Sequence, residues 1–290
     1  MSPQGYTLDS LRADVCAMAT PRSECISVLP GPVTSEIVAQ LDGRDFDQAP
    51  VEDYTDRGGG YPGYYIVGLI PRERLHQLAD SGEELRTDDG TITYAEVTTE
   101  DSLGKLLDIM VEHSAVVVKE PAYPKLRTVG PYWSQYGMLT RSDLNKHPLR
   151  APIYTLLAHL ETELARLMVH CYSEAQWNKW VSELKEENRA RVLEYWQSSK
   201  KQGVDIGPVA GATLPDLLNI VAGDADMLER LRYPSRNAFE RLTGRLAGLR
   251  NNVMHPARPL VGKDPDTCRC LKEGLSAMVE LSKRLEAANP

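Results

Sequence analysis

Arg250, Asn251 and His255 stand in the pattern Arg-Asn-x-x-x-His, inside the stretch Leu246-Ala-Gly-Leu-Arg-Asn-Asn-Val-Met-His-Pro256. Their types suit chemistry on a phosphate. A guanidinium offers a permanently charged fork for phosphate oxygens. An imidazole can take and return a proton near neutral pH. These groups are sufficient for cutting RNA without a metal: the 2′-hydroxyl attacks the adjacent phosphate, His moves the protons, and Arg stabilises the added charge. DNA lacks that hydroxyl and is spared. Residues 229–258 hold seven arginines (230, 232, 236, 241, 245, 250, 258) against Glu229 and Glu240, a local positive stripe. The spacing alone is weak, and two other readings stay open: a bundle that binds nucleic acid without cutting it, and residues that merely cap or bridge helices.

The elements that must hold these residues are helical. Phe239, Leu242, Leu246, Leu249 and Val253 recur at spacings of three and four, so Arg245, Arg250 and Asn251 fall on another side of the same helix. Pro256 pushes His255 out of the α region, which puts the imidazole at or just past the helix end. Ile153, Leu156, Leu157, Leu160, Leu164, Leu167 and Met168 trace a helix expected to begin after Pro152. A Ser173 cap with Glu174 early in the turn opens another, and Glu186 to Trp196 continues after a break expected near Asn188. Pro215 to Val221 and the series Leu271, Leu275, Met278, Leu281, Leu285 supply two more, together a bundle of four or five helices. With Arg-Asn-x-x-x-His closing a late helix, residues 149–290 resemble the HEPN family. The resemblance implies a metal-independent endoribonuclease that works as a homodimer, with Arg250, Asn251 and His255 of both chains sharing one cleft and RNA as substrate.

A second cluster lies in the first half, which repeats itself. At an offset of 69, Val28 falls on Val97, Ile37 on Leu106, Leu41 on Met110, Gly68-Leu-Ile on Gly137-Met-Leu, and Arg72 on Arg141. Each copy reads β-α-β-β-α: runs at 25–29 and 92–97, helices at 33–41 and 102–113, β-pairs at 49–51 with 64–70 and at 116–119 with 136–139. A closing helix starts at Pro71 in one copy and after Thr140 in the other. The Gly/Pro/Tyr-rich insertions at 55–63 and 121–134 read as long hairpins. This double pattern, with Gly-Met-Leu-Thr-Arg-Ser-Asp at 137–143, resembles a tandem pair of CBS domains, with repeats at about 1–80 and 81–148. The resemblance implies clefts for an adenine nucleotide, AMP or ATP, with Thr140 on phosphate and Asp143 on the ribose hydroxyls; Arg141 adds charge. In the first repeat Pro71 and Arg74 stand where Thr and Asp are expected, so it implies at most one intact nucleotide site.

Composition narrows the classes. No apolar run is long enough to span a bilayer and no charged-then-apolar leader pattern is present, so the expectation is a cytoplasmic protein without a membrane partner. Five scattered cysteines argue against a disulfide framework, and Cys268-Arg-Cys270 lacks a second ligand pair, so no metal is expected. No Gly-x-Ser-x-Gly supports a serine nucleophile. The first 150 residues carry 14 Lys/Arg against 23 Asp/Glu, a poor nucleic-acid binder; the remaining residues carry 19 against 18. The expected fold is α+β, a CBS pair followed by an all-α HEPN-like bundle joined by a short junction. The expected function is an adenine-nucleotide-responsive endoribonuclease without a catalytic cofactor, acting as a toxin or defence effector. The alternative is a non-enzymatic nucleotide-sensing regulator whose bundle binds RNA or a protein partner.

Overall fold

The second copy of the repeat is built on a parallel strand pair spanned by a helix and followed by an antiparallel partner, whereas the first has one parallel bridge, Val28 to Val51, across its helix. The computed structural model describes residues 15–21, 24–44, 46–55, 63–87, 94–98, 100–119, 136–203 and 207–288. After α1 (Val15–Met18) and β1 (Thr20–Pro21), the first copy has β2 (Gly31–Pro32), α2 (Ser35–Gly43), β3 (Gln48–Thr55), β4 (Gly63–Pro71), α3 (Arg72–Ser81) and β5 (Glu84–Leu85). The second has β6 (Ala95–Thr98), α4 (Leu103–Glu112), β7 (Ala115–Lys119) and β8 (Tyr136–Thr140). Strands β6 and β7 are parallel across α4, β7 and β8 antiparallel, and β1 adds to the free edge of β8. Strands β3 and β4 form their own antiparallel pair, and β2 pairs with β5. Residues 56–62 and 120–135, which hold the interiors of both proposed hairpins, lie outside the described residues.

Two expectations for the repeat need correction. The run 25–29 is not a strand: only Val28 joins the sheet, donating to the Pro50 carbonyl and accepting from the Glu52 N–H, both at 2.9 Å. Pro30 follows at once and Leu29 is half exposed, so the pairing does not extend. The closing helix of the second copy shrinks to a 3-10 turn, Arg141–Asn145. Lys146 is extended (φ −68°, ψ 156°) and its ammonium donates to the Met18 carbonyl at 2.7 Å, which holds the chain out of the helical path.

Apolar packing holds this unit on both sides of the β3–β4 pair. Val28, Leu41, Val51, Ile70 and Leu75 form one buried cluster, while Ile66 and Leu69 pack with Ala115, Val117 and Met138. Burying each such side chain is worth about 1.5–3 kcal/mol. Gly137 has a steric reason: a Cβ there would stand 3.1 Å from the Ala19 Cβ and 3.2 Å from the Thr20 carbonyl oxygen.

The second unit, built mainly from residues 147–290, is all helical: α5 (His147–Cys171), α6 (Glu174–Glu183), α7 (Glu186–Lys201), a 3-10 turn (Pro208–Gly211), α8 (Leu214–Gly223), α9 (Ala225–Arg230), α10 (Arg236–Met254) and α11 (Pro265–Ala288). The protein is thus α+β, with a sheet-bearing first half and a helical second half. Helix α5 begins at His147 and not after Pro152: buried Leu149 and Arg150 extend its inward-facing stripe by a turn, against the lost bond and the crowding that Pro152 brings. The break expected near Asn188 falls at Leu184 and Lys185, both extended; Asn188 is helical, and its amide donates to Asp216 at 2.9 Å. In the cap of α6 the Gln176 side chain accepts from the Ser173 N–H and hydroxyl; the side chain of Glu174 lies outside those described. Helix α9, absent from the sequence reading, is six residues long and capped by Asp224. Among the described residues, no helix is long and apolar enough to cross a membrane.

Candidate functional site

Helix α10 carries the Arg-Asn-x-x-x-His pattern at its C-terminal end, seated between α5, α8 and α11. Ser235 caps its start by accepting from the Ala238 N–H at 3.2 Å. Phe239, Thr243, Leu246, Leu249 and Val253 face inward. Leu249 sits against Gly274 of α11, where a Cβ would stand 3.2 Å from its methyl; the missing side chain lets the two helices close up beside Arg250. Arg245, one turn before Leu249, is ion-paired with Glu273 of α11.

These contacts leave Arg250 and Asn251 half buried and His255 exposed. His255 is the C-cap of α10, in extended conformation (φ −115°, ψ 92°), and its N–H donates to the Asn251 carbonyl at 3.2 Å. Its own carbonyl accepts from the Arg258 N–H at 2.8 Å. Among the described residues, the side chains of Arg250, Asn251 and His255 have no hydrogen-bond or ion-pair partner, so fork, amide and ring all remain available. The rest of the arginine stripe is partly committed: Arg236 pairs with Glu240 at 2.7 Å and Arg245 with Glu273.

Sequence reasoning missed Arg150. It is 7% exposed on α5, and its two terminal nitrogens donate to the carbonyls of Asn252 (2.6 Å) and Arg258 (2.5 Å). A signal was present. Positions 150, 153, 157, 160 and 164 run at spacings of three and four, so an arginine occupies the apolar stripe, where a buried charge must find acceptors. The same device recurs: Arg141 donates to the carbonyls of Met110 and Val111 at the end of α4, and Arg284 to those of Leu231 and Arg232 just after α9. Each guanidinium meets the unpaired carbonyls and negative end of a helix.

The cluster at 140–143 is closed. One Asp143 oxygen accepts from the Thr140 N–H (2.6 Å) and hydroxyl (2.8 Å), while the other is ion-paired with Lys146 at 2.7 Å. Asp143 is buried, Thr140 also contacts the Ser142 hydroxyl at 2.7 Å, and Arg141 caps α4. In this arrangement both oxygens of Asp143 are engaged within the chain; reading ribose hydroxyls requires it to exchange those bonds. Pro71 is the N-cap of α3, and Arg74 reaches Gln77 at 3.4 Å. No group of three or more His, Cys, Asp or Glu able to hold a metal occurs among the described residues.

No protein-family model matches the chain, and neither does any curated protein. Among solved structures, a hemolysin-like protein containing a CBS domain from Oenococcus oeni PSU is similar over 47% of this chain and 89% of its own, at 12% identity and a TM-score of 0.34. A likeness at that level carries no argument about function.

Proposed function

We propose that the second half is a metal-independent endoribonuclease that cuts RNA as a homodimer, and that the first half is a CBS-like pair through which AMP or ATP governs it. The observation that carries this reading is the end of α10: an arginine, an amide and a histidine within six residues, unpartnered among the described residues, with the histidine at the solvent-facing cap. In the reaction, His255 of one chain takes the 2′-hydroxyl proton as O2′ bonds to phosphorus. The bond from phosphorus to O5′ breaks, and the partner chain's imidazole protonates the leaving oxygen. Arg250 holds the phosphate oxygens as their charge rises. The products are a 2′,3′-cyclic phosphate and a 5′-hydroxyl. The nucleotide's part is to bind two states of the protein with different affinity, and RNA cleavage held under such control suits a toxin or defence effector.

The test is incubation of the purified protein and its His255→Ala variant with total RNA in EDTA. The wild type is expected to produce cyclic-phosphate ends and spare DNA, and the variant to be slower by about 10³-fold or more. Equal inactivity of both proteins, with and without AMP or ATP, would sink the reading.

A further inference from the structure

We infer that Arg150 is the positioning residue for His255, an inference that rests on reading Arg250 to His255 as a ribonuclease centre. Val253 is buried, and Leu260 and Val261 are buried, but the six residues between, Met254 to Pro259, are all exposed. Side-chain packing therefore does not fix the place of the imidazole. What holds the segment is its backbone: the Asn252 and Arg258 carbonyls, one three residues before His255 and one three residues after, both accept from the Arg150 guanidinium. The planar fork has a fixed separation between its donors, so it sets the distance between those carbonyls and the curvature of the bend that has His255 at its middle. The bonds from His255 to Asn251 and from Arg258 to His255 complete the bend. Arg250 and Asn251 lie in the last turn of the same helix, so the clamp also sets their register to the ring.

Arg150 is 7% exposed and has no surface to offer a substrate. It acts through the backbone, and its loss falls on the rate of the chemical step instead of on binding. A lysine keeps the charge but replaces two fixed donors with one mobile point charge, which does not hold both carbonyls at a set separation.

The experiment compares full-length wild type, Arg150→Lys and Arg150→Met by amide hydrogen exchange and by RNA cleavage in EDTA. In Arg150→Lys, exchange in peptides covering 254–260 is expected to rise about tenfold or more while 239–249 stays as in the wild type. A catalytic group displaced by about 1 Å loses on the order of 10²-fold in rate, so kcat is expected to fall between 10- and 100-fold with KM within about twofold. Arg150→Met should lose more than Arg150→Lys on both measures. Unchanged exchange at 254–260, or loosening spread evenly over α5 and α10, overturns the inference, the second by assigning Arg150 to general stability. The exchange measurement decides the clamp even if the wild type does not cut RNA, and that outcome would count against the ribonuclease reading alone.

Discussion

Thr-x-x-Asp occurs at 98–101, 140–143 and 213–216, and the last two close through the same bonds. In these two, one carboxylate oxygen accepts from the threonine N–H and hydroxyl: 2.6 and 2.8 Å at Asp143, 2.9 and 2.7 Å at Asp216. They differ in what surrounds the carboxylate. The side chain of Asp216 is 2% exposed and is held by Arg191 (2.5 Å) and Asn188 (2.9 Å) from α7. That of Asp143 is 11% exposed and is ion-paired with Lys146; the two cations are alike in exposure, 43% for the Lys146 side chain and 42% for that of Arg191, so the difference lies in the carboxylates and in the added Asn188 bond. The pattern is first a way to close a turn, and of these two copies the more open one has bonds that a ligand could replace. The end of α10 stands apart from both, because its polar side chains have no partner to give up among the described residues.

Removing the two carboxylates separately tests this contrast most strongly. Asp216→Ala leaves a helix start without its cap and the half-buried Asn188 amide without its acceptor, so it should cost about 2–4 kcal/mol in urea unfolding. Asp143→Ala should cost about 1–2 kcal/mol, the worth of a cap with an exposed cation. Equal losses would break the distinction. A nucleotide supplies the next test. AMP or ATP at about 100 times its Kd should stabilise the wild type by about 2.7 kcal/mol, read as a rise in Tm. Asp143→Ala should lose that shift relative to its own baseline, while a milder destabilising change elsewhere in the first unit should keep it. Arg250→Ala probes the open site from the other side: Tm should stay within about 1 °C, since no partner is lost, while RNA cleavage falls about 10²-fold or more.

The smallest effect belongs to Asp101, a carboxylate that closes the turn before α4 and has no proposed ligand. Burial acts to raise its pKa, but bonds from Lys105 (2.7 Å) and the Thr98 N–H (2.8 Å) outweigh it and hold the carboxyl below the ordinary aspartate value. A depressed folded-state pKa gives stability that is present above the unfolded value and lost as pH falls through the folded one. Asp101→Asn should therefore lower Tm slightly at neutral pH and not at all near about pH 2.

The legible parts of the fold were those set by local period and by repetition. The self-match at Val28/Val97 and Gly68/Gly137 marked out the repeat, and the spacing from Phe239 to Val253 marked α10 with His255 at its end. What stayed hidden depended on partners far away in sequence. Nothing near Asp143 says that Lys146 also reaches Met18, and so turns the expected helix into a short turn. Asp143 and Asp216 look alike in sequence because capping needs only four residues, while their difference lies in α7. Arg150 was visible as a charge on an apolar stripe, but its acceptors are more than a hundred positions away.

That separation has a consequence in time. Arg150 leaves the ribosome more than a hundred residues before the carbonyls it holds, at sequence separations of 102 and 108. Contacts that close so long a stretch of chain form late in folding. Until α10 has emerged and docked on α5, the bend at His255 has only its two local backbone bonds and lacks the Arg150 clamp. A growing chain that is still being translated therefore carries the chemical groups without their arrangement. For a protein that would cut RNA, this delays the arranged site until α10 has emerged and docked, which protects the messenger being read.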